Sequence, residues 1–244
     1  MDYSQMESLL VKPIYDTIEE YCTSLDLSGY KGLKIDVGLA HDGVDAEVYR
    51  DGDESTIAIS PILVNEFFEG INGKNLWFTN TIHHEFCHID IVNKTKQVQS
   101  LMKQEAQQVE GTIEGVILTT SLVLYNEYMA NRLSSPSVPR DKYDDTRKHF
   151  IDMFNSVESP LDASNYFHRV RHMGYFLGYT NKFGDKLQTF ELIRNDDFLE
   201  LVNKAHEHLV KITRRYPRLC YEGLLDLADI IEVHYELLVN GNAI

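Results

Sequence analysis

Basic residues are scarce. Lysine and arginine number 23 against 38 aspartate and glutamate, which leaves a net charge of −15 at pH 7 over 244 residues. A surface of that sign repels phosphate backbones and anionic bilayers, so neither nucleic acid nor membrane is an expected partner. A solubilising acidic surface accounts for the balance without invoking a basic partner. Cysteine is also scarce: Cys22, Cys87 and Cys220 are far apart and odd in number. They cannot form a disulfide framework, and they suit a reducing compartment. No run of about eighteen apolar residues occurs, so no transmembrane helix is expected. The first residues, Met1-Asp2-Tyr3-Ser4-Gln5, have neither a basic start nor a long apolar stretch. They do not read as a signal peptide, and the cytoplasm is the expected location. No internal repeat is visible. What remains is an ordinary globular composition, 43% hydrophobic and 25% charged, with enough chain for one large domain or two small ones.

Hydrophobic periodicity predicts a helix over residues 4–24, kinked or divided at Pro13. Three short strands are expected next, at 33–39, 46–49 and 56–60, with a hairpin turn at Asp51-Gly52-Asp53-Glu54. Together they predict a small antiparallel or mixed sheet. Pro61 suits the first turn of a short helix ending at Phe67 or Phe68, and residues 70–75 read as a loop. Two longer helices are expected at about 75–92 and 98–133. Ser134-Ser135-Pro136-Ser137-Val138-Pro139 is the clearest break. Beyond it only helical signals follow, at 143–154, 165–179, 183–193, 197–212 and 221–238. The fold class is therefore α+β, a small sheet followed by a mostly helical C-terminal part. The division is expected as a core over residues 1–133 and a helical subdomain over 140–244.

Within the 75–92 helix lies His84-Glu85-Phe86-Cys87-His88, an H-E-x-x-H pattern. Residues four apart share a helix face, so His84 and His88 can place two imidazole nitrogens on one ion. Glu85 projects at a neighbouring angle, where a general base for metal-assisted hydrolysis must sit. Ile82, Phe86 and Ile89 form an apolar stripe roughly opposite the two histidines. One side of the helix should pack into a core and the other point into a site. The bland alternative is a charged helix that happens to carry two histidines. Cys87 points away from the pair and reads as a packed thiol; His83 reads as structural or as a support to the ligands.

A hydrolytic zinc site needs a third protein ligand and an open position. The metzincin extension of the motif would need glycine at 91 and histidine at 94, where this chain has Ile91 and Lys94, so that arrangement is excluded. Glu127, thirty-nine residues beyond His88, is the candidate. It continues a stripe of Val109, Ile113, Val116, Thr120 and Val123, where an ionised carboxylate needs a partner or a metal. Leu118, Leu122 and Met129 form an opposite apolar stripe, and Glu110, Glu114, Ser121 and Arg132 a polar edge, so the helix should be mostly buried. The alternative for Glu127 is a buried salt bridge. Asn131, one turn on, could orient an imidazole. His149, His168 and His172 are next in line as third ligand.

With His84-Glu85-x-x-His88, Glu127 followed by Ala130-Asn131, and a small sheet upstream, the chain resembles the gluzincin branch of the zincin metallopeptidases over roughly residues 33–133. Its compact layout is similar to the ImmA/IrrE type. Phe86-Cys87 stands where that family often has Leu-Gly, and Asn131 where thermolysin-type members have Asp. The resemblance implies a zincin-like core and Zn²⁺ held by His84, His88 and Glu127. It also implies Glu85 activating the metal's water and a peptide or protein as substrate. A strand bordering the cleft would pair with extended substrate by main-chain hydrogen bonds. Thr56, Ile57, Ala58, Ile59 and Ser60 are the expected stretch, with an ordinary structural strand as the alternative. Zincins use a donor to the tetrahedral oxyanion, and His168, His172 and Tyr166 are candidates. All three sit on a helix that otherwise reads as a surface helix with a buried aromatic face. His206-Glu207-His208 reads as solvated. Two other functions stay open: a zincin-fold regulatory or binding protein with a structural or degenerate metal site, and a metallohydrolase that does not cut peptides. Oligomeric state is not legible.

Overall fold

A computed structural model gives the fold, describing residues 3–70, 74–156, 161–184 and 189–239. It is α+β and mostly helical, with one small sheet. The chain separates into two compact units. One comprises Met1–Lys94 with Leu133–Lys142, the other Thr95–Arg132 with Tyr143–Ile244.

The first unit opens with α1 (Tyr3–Tyr21), which passes through Pro13 as one helix rather than two. Strand β1 (Tyr30–Ile35), helix α2 (Val37–Asp42), strands β2 (Ala46–Asp51) and β3 (Glu54–Ile59) and helix α3 (Pro61–Glu69) follow. The expected 33–39 strand is corrected. The strand ends at Ile35, and Asp36 caps α2 by accepting from the Gly38 N–H. The alternation of Ile35 and Val37 hid that cap, a stronger local signal than two apolar residues. Ser60 likewise lies outside its strand and caps α3, accepting from the Ile62 N–H, with Pro61 in the first turn. The 51–54 hairpin forms as expected. Asp51 pairs with Glu54, and Gly52, at φ 58°, supplies the left-handed conformation that a two-residue turn requires.

Strand order is β1-β3-β2, with β1 parallel and β2 antiparallel to β3, a mixed sheet. Ile57 and Ile59 of β3 pack with Leu10 and Ile14 of α1 and Leu63 and Val64 of α3. Phe78, Ile82, Phe86 and Ile89 join the same core from α4 (Lys74–Gln108). The expected stripe of that helix is therefore its core face. Each fully buried side chain of this kind contributes about 1.5–3 kcal/mol.

Helix α4 corrects a second boundary. The helix ran past the expected end at Val92 because nothing between Lys74 and Gln108 breaks it: that span holds neither glycine nor proline. The turn at 89–94 is further fixed by side chains. Asp90 accepts from the Asp26 N–H and the Lys94 ammonium, each at 2.6 Å, and Asn93 donates to the carbonyls of Asp26 and Ser28. The true break comes at Val109–Thr112. Gly111 adopts φ 82° there, and Thr112 Oγ1 accepts from the Gly115 N–H to start α5 (Ile113–Ser134). Of the expected 70–75 loop, residues 71–73 lie outside the described residues, and Lys74 is already helical.

The 134–139 break is a short 3₁₀ turn, Ser135–Ser137. Helices α6 (Arg140–Asn155), α7 (Ala163–Phe183), α8 (Asp196–Thr213) and α9 (Tyr221–Leu238) complete the chain. They match four of the five helices expected after the break. Of the fifth, 183–193, the ends are adjusted: Gly184 closes α7 in the left-handed conformation at φ 71°, Thr189 and Phe190 are helical, and residues 191–192 form a turn. Residues 185–188 of that stretch lie outside the described residues. The second unit has an aromatic core. Tyr143 and Phe150 stack on Phe176, Phe150 meets Phe154, and Phe154 meets Phe198 edge-on. Helix α7 crosses α5 at two glycines. A Cβ on Gly174 would stand 2.7 Å from Cβ of Glu127, and one on Gly178 2.6 Å from both Cβ of Asn131 and the Tyr128 carbonyl oxygen. No side chain fits between the two backbones at these points.

Candidate metal centre

Packing of Ile82, Phe86 and Ile89 into the core turns the opposite face of α4 outward from that core. His84 and His88 stand on it one turn apart. Their Nε2 atoms are 2.9 Å apart and their rings nearly perpendicular, at 85°. Two nitrogens on one tetrahedral zinc at ~2.0–2.1 Å are about 3.3 Å apart, so a small opening of the pair admits an ion. Without metal, one ring can donate its N–H to the other.

His83 is turned away from this face. It is buried, stacks on Tyr21 at 5.2 Å, and places Nδ1 2.8 Å from Ser137 Oγ. Asn80 on the same helix donates to the Ser134 carbonyl and to Ser137 Oγ. The 134–137 turn is thus held to α4 one residue before the first ligand, a structural role for His83. Burial, with His84 beside it, pushes the His83 ring down to about 4, so the ring is neutral at pH 7. Cys87 is fully buried, and burial raises its thiol well above the ordinary range, consistent with a packed, inert side chain. Glu85, between the two histidines, is only 5% exposed.

Glu127 is half-buried on α5. One nitrogen each from His84 and His88 and one carboxylate oxygen from Glu127 lie within 4.8 Å of one another. Among the described residues this is the one such group of three or more metal-ligating side chains. Two imidazoles and a carboxylate are a donor set that zinc accepts, so the residues fit the ion. Asn131 donates its amide to the main-chain oxygen of Glu127 at 2.9 Å. That bond steadies the turn which carries the carboxylate.

The burial of α5 departs from expectation. Val123 and Glu127 are half-buried and Ile113 is 42% exposed. The opposite stripe of Leu118, Leu122 and Met129 is buried as expected, with Thr120, Leu124, Tyr125 and Tyr128, and the buried side includes Ser121, expected on the polar edge. Ser121 satisfies its hydroxyl by donating to the Leu118 carbonyl.

Three other expectations are corrected. Strand β3 is the central strand, hydrogen-bonded on both sides, so Thr56, Ile57, Ala58 and Ile59 have no open edge to offer a substrate. Ser60 is a helix cap. The parallel return of β1 onto β3 was not readable from strand signals, and it closes that edge. Tyr166 is fully buried, and its hydroxyl donates to the Ile231 carbonyl at 2.7 Å, a core role rather than a donor to substrate. His206 is buried against the rings of Tyr128 and Phe190, and His208 Nε2 meets the Gly223 carbonyl at 2.7 Å, so that pair is not solvated. His168 is exposed and His172 half-buried, with ring centroids 4.1 Å apart. Burial is the main cause holding the His172 ring down to about 4. The neighbouring His168 and His149 add to it, and Glu127 opposes.

Sequence reasoning missed the glycine seam that sets the position of Glu127. Its signal was present as Gly174-Tyr175-Phe176-Leu177-Gly178, two small residues one turn apart that let helix backbones approach. Among the described residues no helix is long and apolar enough to cross a membrane. No protein-family model matches the chain, and no curated protein or solved structure matches it either.

Proposed function

We propose that this chain is a zinc-dependent metallopeptidase, with His84, His88 and Glu127 as metal ligands and Glu85 as the general base. The observation that carries the proposal is the gathering of two imidazole nitrogens and a carboxylate oxygen within 4.8 Å, with a second carboxylate, Glu85, between the two histidines on their helix. Zinc held there would polarise a scissile carbonyl and lower the pKa of a water. Glu85 would hold, at its carboxylate, the proton given up by the attacking water and would pass it to the leaving amine. Glu127 serves only to hold the metal, and Asn131 fixes the helical turn beneath it. The choice of peptide bonds follows the gluzincin resemblance. The low cysteine content suits action in a reducing cytoplasm.

The test is Glu85→Gln against the wild type, with metal content read by mass spectrometry and cleavage read on a pool of fluorogenic peptides. The variant is expected to keep its zinc and to lose about 10²–10⁴-fold in cleavage. Unchanged cleavage sinks the assignment of the base. Bound zinc with no cleavage in the wild type points instead to a structural site.

A further inference from the structure

Ten histidines occur in the chain, and three of them meet away from the proposed centre. His168 and His172 are one turn apart on α7, with ring centroids 4.1 Å apart. His149 comes from α6, and its ring centroid is 6.1 Å from that of His172. Two imidazoles bound to one tetrahedral ion at ~2.0–2.1 Å have centroids about 5 Å apart, and the observed separations bracket that value. His149 and His168 line a cavity of about 350 Å³ together with Asp152, Ser156, Asn165 and Arg169. Asp152 is on the same face of α6 as His149, three residues on, and offers a hard oxygen donor beside the nitrogens. Asp162 offsets part of the charge of Arg169.

We propose that His149, His168 and His172 form a second metal site, for a borderline divalent ion of the zinc class, with Asp152 in reach as a fourth ligand. Imidazole donors select zinc, nickel and copper over magnesium or calcium. The ligand atoms of this trio are less closely gathered than those of His84, His88 and Glu127. His149 and His168 are exposed, so each can turn about its side-chain torsions to close on an ion at small cost. Rearrangement on binding makes this the weaker of two sites. The site does not depend on the proposed peptidase chemistry.

Zinc binding, measured by calorimetric titration with zinc chloride and by bound metal after dialysis, tests the proposal on three proteins. These are the wild type, His149→Ala with His168→Ala, and His84→Ala with His88→Ala. The wild type is expected to take up two ions, and each double variant one. The 149/168 variant should lose the weaker binding event. Both of its replaced side chains are exposed, so its circular dichroism should match the wild type. His149→Asn with His168→Asn, which keeps the surface polar, should show the same loss. A wild type that saturates at one ion, or a 149/168 variant that still binds two, overturns the proposal. Loss of an ion in the 149/168 variant but none in the 84/88 variant supports this site and refutes the other one, so the two failures are distinguishable.

Discussion

His234 shows how a single side chain can set acid sensitivity. It is fully buried on α9, and neither ring nitrogen has a hydrogen-bond partner among the described residues. Burial, reinforced by Lys204, lowers its pKa against the opposing pull of Glu200 and Asp197. The folded state thus binds its proton less readily than the unfolded chain, where histidine titrates near ~6.5. The neutral ring supports folding above that value, and stability is lost as pH falls below it. His234→Phe is expected to be neutral or stabilising at pH 7.5, because no hydrogen bond is broken. It should also reduce the drop in urea midpoint between pH 7.5 and 5.5; a drop equal to the wild type's rules this out. Glu127→Ala makes the opposite demand, on metal rather than on folding. With one of three ligands gone, zinc affinity should fall by at least about 100-fold. Full zinc retention by that variant, measured at low free metal, would place the third ligand elsewhere.

Helix α7 lies so close to α5 that two of its positions tolerate only hydrogen. Alanine is ordinarily the better helix former by about 1 kcal/mol. At Gly174 and Gly178 a methyl group would meet the Tyr128 main-chain nitrogen at 2.9 Å or its carbonyl oxygen at 2.6 Å. Backbone cannot move aside as a flexible side chain can, so overpacking dominates, at about 1–3 kcal/mol per substitution. Gly178→Ala is therefore expected to lower thermal stability. Gly174→Ala should do so and also weaken zinc binding, because the atom it strikes belongs to Glu127. Stability equal to or above the wild type would show that the seam can open. Phe86→Ala, at the core face of α4, should cost about 3–5 kcal/mol in a denaturant titration. The seam also marks where sequence stopped being informative. The histidine face of α4 and its apolar back were legible because both obey a short, local period. So were Pro61, the 51–54 turn and four of the helices after the break. The end of α4 was misplaced at Val92, whereas Gly111-Thr112 carries the stop and the cap. The parallel pairing of β1 with β3, and the approach of α7 to Glu127, join distant parts of the chain, and no period within either segment encodes them.

For the molecule as a whole, metal and folding should be linked. An ion that binds only the native state stabilises it by about 2.7 kcal/mol at a hundred times its dissociation constant. For a chain of this size each kcal/mol is worth about 2–4 °C. Chelation with EDTA should lower the midpoint of thermal unfolding by about 5–10 °C in the wild type and by clearly less in His84→Ala with His88→Ala, which keeps only the weaker ion. An equal fall in both would mean that the stabilising ion binds elsewhere. The sheet carries a last consequence. Its most β-prone run, Thr56-Ile57-Ala58-Ile59, is enclosed between neighbours, while the outer strands bear Lys31 and Lys34 on one side and Glu47, Arg50 and Asp51 on the other. Glu7 of α1 takes the Ile35 N–H at the end of β1. Charged outer strands discourage edge-to-edge pairing between copies. The segment best suited to seed fibrils is thus withheld from other chains, and either detachment of β1 or opening of the β2–β3 hairpin is needed to release it for aggregation.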